Sequence, residues 1–207
     1  AEPASFNSKV RQPGKAFLKK CPNPTNTEFR KNAFWKNSVH DLHAAYLGIC
    51  AYTCFYLVPP GSTDHFLPKS IHPSETYEWK NYRLCSHRVN GYKSDSKDVI
   101  DPFVVQSGWF VLDVPSCLVK PGAGLSKVLT NQVEATIKQL RLNDDDYFVQ
   151  ERCELMVDFA FGEVTLAHLL KRYPFLAAEI IRQGLQATAA QIFKKNSMLH
   201  QIAPSCR

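Results

Sequence analysis

Residues 49–93 constrain the fold of this chain more than any other stretch. They open with Ile49-Cys50-Ala51-Tyr52-Thr53-Cys54-Phe55-Tyr56-Leu57-Val58, whose aromatic and β-branched residues favour a strand. Pro59-Pro60-Gly61-Ser62 follows as a turn. Thr63-Asp64-His65-Phe66 reads as a second short strand, stopped by Pro68. Two short strands across a tight turn predict a hairpin with His65 on its second strand. A short helix is expected over 86–93, which puts Asn90 opposite the hairpin, and Asn81 falls in the segment between. One small strand–loop–helix unit thus gathers an acid–imidazole pair, two carboxamides and the Lys93 ammonium.

Those residue types suit one kind of chemistry. Hydrolysis of a phosphodiester needs an activated water, neutralised phosphate charge and help for the leaving oxygen. A neutral imidazole is a good general base near pH 7. A carboxylate beside it can hold Mg²⁺ or Mn²⁺ through oxygen, with water and phosphate filling the shell. One carboxamide can accept from an imidazole N–H, and a second can complete the protein's ligands to the ion.

Three runs carry a family resemblance. They are Thr63-Asp64-His65-Phe66-Leu67-Pro68-Lys69-Ser70, Tyr77-Glu78-Trp79-Lys80-Asn81-Tyr82-Arg83-Leu84 and Asn90-Gly91-Tyr92-Lys93, with sixteen positions from His65 to Asn81 and nine from Asn81 to Asn90. The chain here resembles the HNH endonucleases, over roughly residues 45–95. The wording is most similar to HNH proteins of bacterial defence systems of the Septu and retron types. The resemblance implies an α+β fold with a ββα-metal core. It implies His65 as general base, Asn81 as the group orienting it, Asp64 and Asn90 as ligands of Mg²⁺ or Mn²⁺, and Lys93 as a phosphate contact. Asn90 stands where many relatives have His, and the family uses either.

Many relatives also carry two Cys-x-x-Cys zinc knuckles. Here Thr53 and Arg88 stand in the second thiolate positions after Cys50 and Cys85. A Cys50/Cys54/Cys85/His87 site has poor spacing for a tetrahedral ion, so structural Zn²⁺ is not expected. Packing of Phe55, Tyr56, Leu84 and Val89 is expected to hold hairpin to helix instead. The function implied is a metal-dependent endonuclease acting on DNA in preference to RNA. Its product would carry a 5′ phosphate, and its setting would be anti-phage defence with a protein partner such as an ATPase. The rival reading is an inactive adaptor that binds nucleic acid or a partner through the same fold.

The rest of the chain frames this core. Residues 1–27 read as an extended basic arm, broken by Pro13-Gly14 and Pro22-Asn23-Pro24. Apolar spacing through Phe34, Trp35, Val39, Leu42, Ala45 and Tyr46 predicts one helix over 28–48. Strand-like pieces lie around Gly108-Trp109-Phe110-Val111-Leu112. Residues 126–200 read as four helices, with Asp144 and Thr165 as caps and Pro174 before the last, which runs through Ile180, Leu185 and Ile192. The expected organisation is a basic arm and helix over 1–44, the core over 45–120 and a helical module over 121–207.

Charge is uneven: residues 1–45 carry eight Lys/Arg against three acids, and residues 46–119 carry six against seven. The basic surplus, which includes Arg30 and Lys36, suits phosphate contacts, and Lys69 is a candidate for the groove edge. Seven cysteines, an odd number, argue against a disulfide framework and for a reducing cytoplasm. No apolar run is long enough to span a membrane, and no secretory leader is legible at the start.

Overall fold

A computed structural model describes residues 1–195. The protein mixes helix and strand, as an α+β chain should, and divides into two compact units, residues 1–104 and a second that begins at Val105.

The first unit runs in the order α1 (Gln12–Lys20), α2 (Asn26–Lys31), α3 (Val39–Ala45), β1 (Ser62–His65), β2 (Tyr82–Cys85) and α4 (His87–Lys93). β1 and β2 pair antiparallel, with Ser62 opposite Cys85 and His65 opposite Tyr82. One residue later Ser86 caps α4, its hydroxyl accepting from Val89 N at 3.2 Å. Leu84 and Val89 are fully buried and Phe55 nearly so.

The expected hairpin between 49–58 and 63–66 does not form. Residues 49–58 make one isolated bridge, Ile49 with Tyr56. Leu47, Gly48 and Cys54 take positive φ angles of 54°, 74° and 55°, which turn the chain out of an extended path. β1 takes its partner from beyond the following loop, and Ala51 N joins that partner at Leu84 O, 2.8 Å away.

The basic arm is helical rather than extended. It is π-wound over Asn7–Arg11 and continues as α1. Phe6 and Val10 are fully buried in one cluster with Leu42, Tyr77, Tyr82 and Leu84, and this burial orders the segment. Pro13 is tolerated because it lies in the first turn of α1. Gly14 lets the helix backbone rest on the Tyr77 ring: a Cβ there would come 2.1 Å from the ring's Cγ. Gly14→Ala gains about 1 kcal/mol of helix propensity, but overpacking against a buried ring costs about 1–3 kcal/mol or more. Urea unfolding should therefore show the variant less stable than the parent. A more stable variant would mean that α1 does not sit on Tyr77.

The single helix expected over 28–48 is three pieces: α2, a 3₁₀ turn over Phe34–Ser38, and α3. Asn32 ends α2 by bonding Glu28 O with both its backbone N–H and its side-chain amide.

In the second unit β3 (Phe110–Asp113) and β4 (Leu118–Pro121) form an antiparallel ribbon. Helices α5 (Lys127–Gln139), α6 (Asp146–Phe161), α7 (Leu166–Arg172), α8 (Pro174–Arg182) and α9 (Ala189–Lys195) follow. α5 packs on β4 and α8 on β3. The cap of α6 is Asp145, one residue past the expected Asp144, and Thr165 caps α7 as expected. The helix expected through Ile180, Leu185 and Ile192 breaks after α8, where Gly184 adopts φ 65°. The buried Arg152 ties α6 to the ribbon by donating Nε to Cys117 O at 2.7 Å. Cys206 and the expected helical residues 196–200 lie outside the described residues. Among the described residues no helix is long and apolar enough to cross a membrane.

Candidate functional site

Among the described residues β1 has a strand neighbour on one edge only. Its residues Ser62, Thr63, Asp64 and His65 line a cleft of ≈ 600 Å³ together with Asn90 and His87 of α4. Lys69, on the loop after β1, lies on the same cleft. So do Arg30 of α2 and Trp35 and Lys36 of the 3₁₀ turn.

Adjacent strand residues point to opposite faces, so Asp64 and His65 have different surroundings. The His65 ring packs edge-on against Trp35 (4.8 Å between centroids) and Tyr82 (5.2 Å). Its Nε2 meets Thr76 O at 3.0 Å. A carbonyl only accepts, so Nε2 carries the proton and Nδ1 keeps its lone pair. Burial holds the imidazole neutral by lowering its pKa to about 3, and the Lys69 and Lys93 ammoniums push the same way.

That shift has a testable sign. The folded value lies below the ordinary 6.5, so the neutral ring favours the native state at every pH above 6.5. The advantage fades as acid protonates the unfolded chain, between about 6.5 and 3, by at most about 1.4 kcal/mol per pH unit. Between pH 7 and pH 5 in EDTA, urea unfolding of the parent should lose more stability than that of His65→Gln. Equal losses would show that the ring titrates normally in the fold.

Asp64 is buried against α4 and residue 52. Its Oδ2 accepts from the Tyr52 hydroxyl at 2.5 Å, and its Oδ1 pairs with Lys93 Nζ at 3.2 Å. Burial pushes the carboxyl above the usual carboxylate range, while Lys93, Tyr52 and Arg83 pull it back. Asn90 donates Nδ2 to Ser62 Oγ at 2.8 Å and to Thr63 O at 3.3 Å. Its Oδ1 has no hydrogen-bond partner among the described residues.

Two expected roles change. Lys93 is fully buried, and its ammonium is spent on His65 O (3.1 Å), Phe66 O (3.2 Å) and Asp64. It fastens α4 to β1 and neutralises Asp64, so it cannot reach a phosphate in the cleft. Asn81 makes no bond to the His65 ring. It clasps the backbone of Leu67 from both sides (2.7 and 3.0 Å) and reaches Glu75 O at 3.1 Å. The group that orients His65 is the neighbouring Thr76 carbonyl, which also accepts from the Tyr82 hydroxyl at 2.9 Å. Asn81 thus acts on the imidazole through the loop that presents this carbonyl.

Tyr52, the Thr76 carbonyl and Trp35 are the site groups that residue patterns alone miss, and His87, considered from the sequence as a zinc ligand, lines the cleft. Lys69, expected at the groove edge, does line the cleft, and its charge reaches His65. Among the described residues no three His, Cys, Asp or Glu side chains are grouped to hold a metal ion. Burial lifts the Cys54 thiol to about 12 and the Cys85 thiol well above its usual value, with Cys50 adding to both. Asp64 and Asn90 offer something different: hard oxygen donors on one cleft. The carboxylate has lone pairs left after Tyr52 and Lys93 are served, and Asn90 Oδ1 is uncommitted, a donor set that fits Mg²⁺ or Mn²⁺.

No protein-family model matches this chain, and no curated protein sequence matches it significantly.

Proposed function

We propose that the first unit is a divalent-metal-dependent endonuclease of the HNH type that hydrolyses the phosphodiester backbone of DNA. The observation that carries this reading is the state of His65. Its imidazole lines the cleft with Nε2–H donated to Thr76 O, which leaves Nδ1 with a lone pair. The strand–strand–helix order around it and the Asp64–Asn90 oxygen donors support the same reading.

In this mechanism His65 Nδ1 takes a proton from water as the water oxygen attacks phosphorus. The bond from phosphorus to the 3′ oxygen breaks and that oxygen takes a proton from solvent water, leaving a 5′ phosphate and a 3′ hydroxyl. Asp64 and Asn90 would hold Mg²⁺ or Mn²⁺, which supplies Lewis-acid stabilisation of charge on the phosphate and the leaving oxygen. Lys93 opposes the protonation of Asp64 that burial favours, and Tyr52 fixes one of its oxygens. Trp35 and Tyr82 hold the imidazole plane.

A role in anti-phage defence, in the cytoplasm and beside an ATPase or reverse-transcriptase partner, rests on the resemblance of residues 63–70 and 77–84. One observation favours the adaptor as a second reading: both oxygens of Asp64 already have protein partners.

Digestion of end-labelled single- and double-stranded DNA and RNA with Mg²⁺ or Mn²⁺ tests the proposal. DNA cut to 5′-phosphate ends supports it. Tight, salt-sensitive DNA binding with no cutting in either metal, partner included, selects the adaptor.

A further inference from the structure

Lys93 cannot serve as the phosphate contact, yet the cleft is not short of cations. Arg30, Lys36 and Lys69 all line it, and none has an ion-pair partner among the described residues. Outside the cleft some cations are ion-paired, Arg11 with Glu2 and Glu78, Lys15 with Glu78 and Lys80 with Glu75, whereas Lys19 and Lys20 are exposed without a pair among the described residues. Of the acids on the cleft, Asp64 is paired with Lys93, while Asp95 has no ion pair among the described residues and accepts from Ser70 Oγ at 2.6 Å, leaving three cations against one unpaired acid.

The two N-terminal cations sit on a rigid support. Thr25 and Glu28 form a reciprocal capping box at the start of α2, and Phe29, next to Arg30, is fully buried. Lys36 follows Trp35, whose ring touches His65. On the cleft's β1 side the Thr63 hydroxyl is buried with no hydrogen-bond partner among the described residues.

We infer that α2 and the 3₁₀ turn after it form a phosphate-binding wall, in which Arg30 and Lys36 hold backbone phosphates of DNA along the cleft that His65 lines. The N-terminal segment is then part of the substrate site rather than a tether. This rests on the reading that the first unit acts on DNA.

The test is binding of a fluorescein-labelled DNA duplex in EDTA, followed by anisotropy at several salt concentrations. Arg30→Gln/Lys36→Gln is compared with Lys19→Gln/Lys20→Gln, an equal charge change at exposed positions outside the cleft. Circular dichroism checks that both variants fold. The cleft pair should weaken binding about tenfold or more and flatten the log–log salt slope by about 2, near 0.9 for each phosphate no longer neutralised. The control pair should stay within about twofold of the parent, as distant surface charge does once screened. Equal weakening by both pairs, or none by the cleft pair, overturns the inference even if metal-dependent cleavage is found. Selective weakening without cleavage by the parent protein leaves the wall standing and removes the nuclease reading.

Discussion

His65→Ala should lower the single-turnover rate of DNA cleavage about 10²–10⁴-fold, the usual worth of a positioned general base. Its affinity for the same DNA, measured in EDTA, should stay unchanged. This split follows from where the ring sits. It is buried between Trp35 and Tyr82, with one nitrogen spent on Thr76 O, so it contributes little to holding a polyanion. In the proposed function binding would fall to the cations on the cleft and proton transfer to Nδ1. A parallel loss of rate and affinity would instead make His65 a substrate contact. The low pKa adds a second signature. Because the ring is already neutral well below pH 6.5, the rate should not fall through a titration near 6.5 as acid is added.

Lys93→Met should cost about 3–5 kcal/mol of stability, the range for removing one partner of a buried ion pair. Lys93 is fully buried and touches three oxygens, two of them main-chain carbonyls of β1 and the residue after it. Met preserves the volume but leaves the Asp64 carboxylate without its counter-charge. Burial already pushes Asp64 toward protonation, so the variant should resolve the loss by taking up a proton. Adding Asp64→Asn should therefore return a large part of the lost stability. Urea unfolding of the single and double variants measures both effects. A near-neutral Lys93→Met would mean that the lysine is solvated, and its expected role as a phosphate contact would return.

Local signals in this chain were legible. Ser86 and Thr165 sit at the starts of their helices because a hydroxyl there satisfies an exposed backbone N–H, a rule that needs no distant partner. Asp64, His65 and Asn90 were singled out by type and spacing, and the fold brings all three to one cleft. The misreadings are non-local. Residues 49–58 have strand composition, but β1 pairs instead with β2, which lies beyond a long loop. Pro13-Gly14 looks like a breaker until Tyr77 is seen filling the space the glycine leaves. Lys93 shows the commonest blind spot, because no pattern of residues says whether an ammonium will be buried beside a carboxylate or left in water. The Thr76 carbonyl that aims His65 has no side-chain signature at all, since every residue carries one.

In the proposed function Asp64, Asn90 and His65 together make a metal-dependent phosphodiesterase site. Conversion of supercoiled plasmid to open circles by the purified protein tests it most directly, with Mg²⁺, with Mn²⁺, and with either plus excess EDTA. Nicking is expected with a divalent ion, with complete loss in EDTA and recovery when the ion is restored. Nicking that persists in EDTA, or no nicking with either ion, would contradict it.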